Sequence, residues 1–275
     1  MKKSGIWGKL LVILTFVFLY LPIAVLVVFS FNSSKSRTIW TGFTLDWYAK
    51  LFRDSTVLNS LYVTLAVSVL AAVIATIFGT FAAIGFYNMR KRWRSPLLTI
   101  NNIPVVNADI ITGVSLSLLF VFAGTLFKFS LGFGTLLIAH ITFNIPYVIL
   151  SVMPKLYQLD KNLFEAAQDL GCTWMQAFVK VIIPEIAPGI VNGLIIAFTM
   201  SIDDFVISYF TAGSQVQTLS MTIYAMTRKR ISPEINAIST LLFVVVLLLL
   251  LVINIRKARQ DKLSRRRDAS LNPKN

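Results

Sequence analysis

Six apolar runs of about 20 residues, near 10–31, 58–87, 103–127, 135–153, 188–211 and 235–255, divide this 275-residue chain. A soluble core of ordinary size has no room for them. In lipid every backbone N–H and C=O must find a partner within its own segment or its neighbours, so runs of this length predict membrane-spanning helices. The expected fold class is all-α, a polytopic membrane protein with six transmembrane helices. A hydrophobic content of 56% and a mean hydropathy of +0.74 agree with it. The net charge of +14 would suggest nucleic acid in a soluble protein, but here the basic residues cluster at the ends of the spans, where they set topology, and no nucleic-acid partner is expected. Cys172 is the one cysteine and His140 the one histidine, which excludes a disulfide framework, a Cys-based metal site and most Ser-His chemistry.

The first run follows Lys2, Lys3 and Lys9 and is longer than the apolar part of a signal peptide. The following Phe31-Asn32-Ser33-Ser34-Lys35 is a poor cleavage site, so the run reads as an uncleaved anchor. Trp40, Trp47 and Tyr48 in the next loop suit a membrane-water boundary. The second run carries Ala71, Ala75, Gly79 and Ala83 at spacing four, a stripe on which another helix can pack closely. With six spans both termini lie on one side. That side collects 18 of the Lys and Arg residues against 8 opposite, which predicts that both termini are cytoplasmic despite Arg228-Lys229-Arg230 on the outer side. The expected organisation is 1–57 as N-terminus, first span and external loop, 58–255 as the transmembrane domain, and 256–275 as a basic tail attracted to membrane lipid.

Between the fourth and fifth runs lies a polar stretch, Glu165-Ala166-Ala167-Gln168-Asp169-Leu170-Gly171, followed by Pro184. Asn162 and Glu165 have capping-box spacing, Gly171 is placed to end a short helix in a left-handed turn, and Thr173 with Gln176 forms a second capping box. Trp174, Ala177, Phe178, Val181 and Ile182 then make one apolar face, and Pro184 is expected to stop the second helix. Two readings of this helix-turn-helix compete: a loop folded against the membrane with Glu165 as a cap, or a rigid knob by which a cytoplasmic partner moves the bundle.

Glu165-Ala166-Ala167, Gly171 at its interval and Val181-x-Ile183-Pro184 resemble the EAA signature of permease subunits of bacterial type I ATP-binding-cassette (ABC) importers, with Val and Ile in place of the usual Ile and Leu. The resemblance covers roughly Asn59 to the end of the sixth run. It implies a MetI-like fold in which Glu165, Ala166, Ala167, Asp169, Leu170 and Gly171 belong to a coupling helix seated in a cytoplasmic ATPase dimer. Chains like this bind no cofactor themselves, ATP and Mg being held by the ATPase, and no G-x-x-x-x-G-K-[ST] phosphate loop occurs in the sequence. Asn32-Ser33-Ser34, Trp47-Tyr48, His140-Ile141-Thr142-Phe143, Ser201-x-Asp203-Asp204 and Ser232-Pro233-Glu234-x-Asn236-Ala237 further resemble the PotC-type permeases of spermidine and putrescine transporters. The resemblance thus implies transport of a polyamine across a bacterial inner membrane, with a second, homologous permease and an external or periplasmic polyamine-binding protein as partners. Alternatives are a permease of the same class for another cation or small solute, and an ATP-independent secondary transporter.

Asp203 and Asp204 fall inside the fifth run. An ionised Asp at a helix centre costs about 2.5–3.5 kcal/mol, so the pair requires a reason. On a continuous helix Asp203 aligns with Asn192 and Thr199, and Asp204 with Ser201, Ser208 and Thr211. No Lys or Arg lies inside a span. One reading lines a path for a cationic substrate with these carboxylates, and the other buries them at an interface with the second permease. Asp109 is read either as part of that path or as a helix-end cap, His140 as a hydrogen-bonded packing residue and Cys172 as a small filler. No catalytic or metal-binding residue is expected.

Overall fold

The computed structural model describes residues 6–34, 39–160, 162–229 and 233–248, with 250, 251 and 255. The basic tail and Lys2, Lys3, Lys35, Arg230 and Ser232 lie outside the described residues. The helices are α1 (Ile6–Phe29), α2 (Asp46–Leu51), α3 (Ser55–Asn88), α4 (Lys91–Val106), α5 (Asp109–Phe127), α6 (Phe133–Gln158), α7 (Leu163–Asp169), α8 (Trp174–Ala177), α9 (Ile183–Ile202), α10 (Val206–Thr211) and α11 (Leu219–Lys229), then α12 (Pro233–Leu248). Among the described residues five helices are long and apolar enough to cross a membrane, and α12 is a shorter apolar helix within the expected sixth run. Two compact units divide the chain, 1–58 with 223–275 and 59–222.

In the smaller unit α1 exposes nearly all of its apolar side chains, as a lipid-facing helix does. The turn after it is tied down locally. The Trp47 indole N–H donates to the Asn32 carbonyl at 2.8 Å, and the Tyr48 hydroxyl pairs with Ser30 Oγ at 2.7 Å. Trp47 is thus buried, not part of an exposed interfacial belt, because its N–H has a carbonyl to reach.

The larger unit is organised around α6, whose Val148, Ile149, Val152, Met153 and Leu156 form a core with Ala72, Ala75 and Ala83 of α3 and Ile186 and Ala197 of α9. Helices in lipid gain nothing from hiding apolar surface from each other and associate through close packing, for which small residues are the means. A Cβ on Gly79 would lie 2.7 Å from Val148 Cβ, and one on Gly193 would lie 3.2 Å from Val148 Cα, so one residue of α6 is gripped by glycines of two neighbours. The stripe expected on the second span is therefore the α3 face against α6.

Three local expectations are corrected. The third span does not run unbroken from 103 to 127: α4 ends at Val106, Asn107 and Ala108 are extended, and α5 begins at Asp109. Nor does the fifth span run unbroken to Thr211, since α9 ends at Ile202 and α10 starts at Val206. Pro184 does not stop a helix. A π-helical turn over Phe178–Ile182 joins α8 to α9, with Pro184 in the first turn of α9. Proline lacks an N–H and crowds the carbonyl four residues back; wider i→i+5 pairing just before it takes up both defects, so the helix continues into the membrane.

Candidate functional site

Both breaks in the larger unit carry carboxylates. At the first, Asp109 occupies the first turn of α5, where the unsatisfied N–H groups of the helix start favour negative charge. At the second, Asp203 and Asp204 occupy the gap between α9 and α10. α5 and α10 are held together at Gly113, where a Cβ would meet Phe210 Cδ2 at 3.1 Å and Ile207 Cα at 3.4 Å. Asp109 lies one turn before that contact and Asp204 three residues before Ile207, and the two are close enough to act on each other electrostatically. The fold thus brings together the three acidic residues singled out in the sequence. Discontinuous helices are tolerated at membrane depth where they are buried in protein or line a watered cavity, and their ends are favoured places for charged ligands.

The adjacent aspartates have different surroundings. Asp203 is exposed, and among the described residues its carboxylate has its own backbone N–H as a hydrogen-bond partner and makes no ion pair. Asp204 is drawn into the protein: Oδ2 accepts from the Ser208 backbone N–H and from Ser208 Oγ, both at 2.8 Å, and Oδ1 accepts from the Ile207 N–H at 3.3 Å. It therefore satisfies the N–H groups that α10 leaves open at its start. His140, fully buried in α6, places Nε2 3.1 Å from Ser208 Oγ and 3.6 Å from Asp204 Oδ2. Because Ser208 Oγ donates its proton to Asp204 Oδ2, it meets His140 with a lone pair, and the tautomer with hydrogen on Nε2 makes His140 the donor to Ser208.

This contact belongs to a longer polar seam between α6 and the broken span. Asn144 Nδ2 donates to Ser201 Oγ at 2.7 Å, and Thr135 Oγ1 donates to the Thr211 carbonyl at 2.8 Å. Such bonds fix register where apolar packing alone would let helices slide. The sequence puts Ser208 on the stripe of Asp204 but does not mark Asn144 and Thr135 as partners across the seam. The available signals were the polar spacing on the fifth span and the His140–Asn144 pair at i, i+4, which put polar atoms on one face of each helix.

The second feature is the knob formed by α7 and α8. Glu165, Ala166, Gln168, Asp169 and Leu170 are exposed, Leu170 at 87%, while Ala167 is buried beneath them. Gly171 adopts φ +87°, the left-handed turn expected of it, and its N–H donates to the Gln168 carbonyl at 2.8 Å. The Thr173–Gln176 capping box forms in both directions, at 3.4 and 3.1 Å. The Asn162–Glu165 box does not: Asn162 is itself helical and caps nothing with its side chain. Asp160 takes over upstream, Oδ1 accepting from the Asn162 N–H at 3.0 Å. Phe164 meets Trp174 edge-on at 6.3 Å and Trp174 stacks parallel on Phe178 at 5.6 Å, which braces the knob against its own base. Cys172 is half-buried just after the turn.

A helical bundle in which two spans break at carboxylates, with a braced polar knob projecting from one end, defines a membrane permease subunit. The chain belongs to the family described as binding-protein-dependent transport system inner membrane component, whose model matches residues 75–266. It is thus a multi-pass inner-membrane transport component and not itself an enzyme. It is 38% identical over 239 residues to the putrescine transport system permease protein PotI of Escherichia coli K12, covering 86% of this chain and 85% of that protein. It is 36% identical over 247 residues to the spermidine/putrescine transport system permease protein PotC of the same strain, covering 90% and 91%. A bacterial ABC transporter involved in import of the acidic polysaccharide alginate has a chain of the same type I, MetI-like fold, with a TM-score of 0.68 and 18% identity over 92% of this chain and 94% of that one.

Proposed function

We propose that this chain is one permease subunit of an ATP-driven polyamine importer, and that Asp109, Asp203 and Asp204 form the acidic stage of its translocation path. The observation that carries this reading is the convergence of three carboxylates at two helix breaks, where among the described residues no Lys or Arg pairs with them and the buried His140 stands 3.6 Å from Asp204. A polyamine carries ammonium groups at intervals and would exchange water for carboxylates as it passes. The cargo named for the PotI and PotC relatives is the same chemistry. Asp203, exposed and unpaired, is the primary contact; Asp204 is held back by α10 and acts through charge.

In this reading the knob seats in a cleft of a cytoplasmic ATPase dimer that holds ATP and Mg, with Glu165, Ala166, Asp169, Leu170 and Gly171 on its exposed face and Ala167 packed beneath them. Closure of that dimer would move the knob, shut the inward face and open the acidic stage towards an external polyamine-binding protein. A second, homologous permease completes the path, residues 58–255 form the translocating domain, and both termini face the cytoplasm. The decisive experiment is uptake of labelled putrescine and spermidine by vesicles containing the full transporter. Uptake is expected to be vanadate-sensitive and to be lost in the Asp203→Asn, Asp204→Asn double variant. Unchanged uptake in that variant would remove the path, and uptake insensitive to vanadate would remove the coupling.

A further inference from the structure

At the knob end of the larger unit an apolar groove of about 550 Å³ lies between the last turns of α3, the end of α6 and the start of the fifth span. Phe81, Ile84 and Tyr87 recur along α3, and Trp174, Phe178 and Ile182 along the facing helix. At a rise of 1.5 Å per residue each row is roughly 10 Å long and runs with the helix axes, from membrane interior towards boundary. Among the lining residues, side-chain polar atoms come from Asn88, at the boundary end, the Tyr87 hydroxyl and the Trp174 indole N–H. Directly beyond Asn88 come Arg90, Lys91, Arg92 and Arg94. Arg94 is the one that reaches the groove wall: its guanidinium lies 5.4 Å from the ring centre of Tyr157, which meets the groove-lining Tyr87 edge-on at 5.9 Å, whereas Arg92 lies over Trp93 at 5.5 Å. The nearby acidic groups Asp160, Glu165 and Asp169 belong to the knob and its approach, and Glu165 and Asp169 are exposed on it.

A slot that is apolar along its length, parallel to the spans and cationic at its boundary end has the polarity of a phospholipid seen from the other side. We infer that the groove holds an acyl chain of an anionic glycerophospholipid whose phosphate pairs with the Arg90–Arg94 cluster, Arg94 above all. A protein segment would bring backbone amides that need partners, and the lining offers few. An acyl chain needs none, and the cations account for its headgroup. Because Trp174 and Phe178 line the slot and brace the knob, the lipid would form part of the floor on which the knob stands.

Trp174 is a built-in reporter. The full transporter, reconstituted in phosphatidylcholine vesicles, receives a low fraction of phosphatidylglycerol brominated on its acyl chains or, in parallel, of equally brominated phosphatidylcholine. The Trp174 signal is the difference between the unmodified protein and Trp174→Phe. Brominated phosphatidylglycerol is expected to quench it with about fivefold preference over brominated phosphatidylcholine, the factor for one cation near the headgroups at ~1 kcal/mol. Arg94→Gln should bring the preference close to one while leaving quenching by phosphatidylcholine in place. Equal quenching by both lipids would overturn the inference, because the headgroup is then not selected. Absence of quenching by either would also overturn it, because a protein segment then fills the slot. Should Arg94→Gln fail to assemble, the headgroup comparison on the unmodified transporter decides alone.

Discussion

Ser208 holds Asp204 twice, with its backbone N–H and its hydroxyl each 2.8 Å from Oδ2, and the same hydroxyl receives His140 from the neighbouring helix. One serine thus links the start of α10, the carboxylate at the break and the buried face of α6. Without it Asp204 would have reason to turn outward beside Asp203, and the two carboxylates would no longer be distinct.

Ser208→Ala should therefore act on stability first. It leaves the buried His140 N–H without its acceptor and removes one of three donors from Asp204, a loss of about 1–3 kcal/mol. Asp203→Asn, at an exposed side chain whose one hydrogen bond is to its own backbone, should change stability by less than about 0.5 kcal/mol and yet reduce polyamine uptake. Thermal unfolding of the purified transporter, set beside vesicle uptake, checks both. If Ser208→Ala is as stable as the unmodified protein, the seam does not hold the break together.

Gly79 and Gly85 lie on the same helix and offer an internal control. Alanine at 79 drives a methyl to 2.7 Å from Val148 Cβ, whereas alanine at 85 meets nothing within 4 Å. Gly79→Ala should destabilise by about 1–3 kcal/mol through overpacking. Gly85→Ala should be neutral or stabilising by up to about 1 kcal/mol, because alanine is the better helix former. Equal unfolding temperatures for the two variants would mean that α3 and α6 do not approach as closely as described.

The spans and the α3 stripe were legible in the sequence because both depend on local spacing: apolar length for the first, small residues four apart for the second. Gly171 and the Thr173–Gln176 box were legible for the same reason. The two helix breaks were not. Nothing in Asn107-Ala108 or in Asp203-Asp204-Phe205 is a proline or a glycine, and each segment lies within an apolar run long enough to read as one span. They open because tertiary partners reward the opening: Gly113 lets α10 close on α5, and Ser208 and His140 collect Asp204. The Asn162–Glu165 box failed on a local competitor, Asp160, which captures the entry turn two residues earlier. Pro184 misled because a π-helical turn accommodates it, and such turns leave no spacing signal in the sequence.

Gly171→Ala tests the turn behind the knob. The position has φ +87° and nothing within 4 Å of an added Cβ, so the cost is backbone strain alone, on the order of 1–2 kcal/mol. Asparagine tolerates this conformation better, and Gly171→Asn should recover part of the loss. Stimulation of ATP hydrolysis by the loaded binding protein is the readout for the assembled transporter. Equal behaviour of the alanine and asparagine variants would show that conformation at this residue is immaterial.

Glu165 separates charge from shape most cleanly, because the structure removes one of its two possible roles. Asn162 makes no side-chain cap and Glu165 stands exposed on the knob, so Glu165→Gln leaves the fold of α7 with the bonds it already has. The unfolding temperature should not move. If the carboxylate is a contact with the ATPase, substrate-stimulated ATP hydrolysis should fall several-fold, while the basal hydrolysis of the assembled complex, which needs no signal from the acidic stage, should change little. An unchanged stimulated rate would assign the contact to shape, and above all to Leu170, whose side chain is 87% exposed beside it. Leu170→Ala would then uncouple the transporter where Glu165→Gln does not.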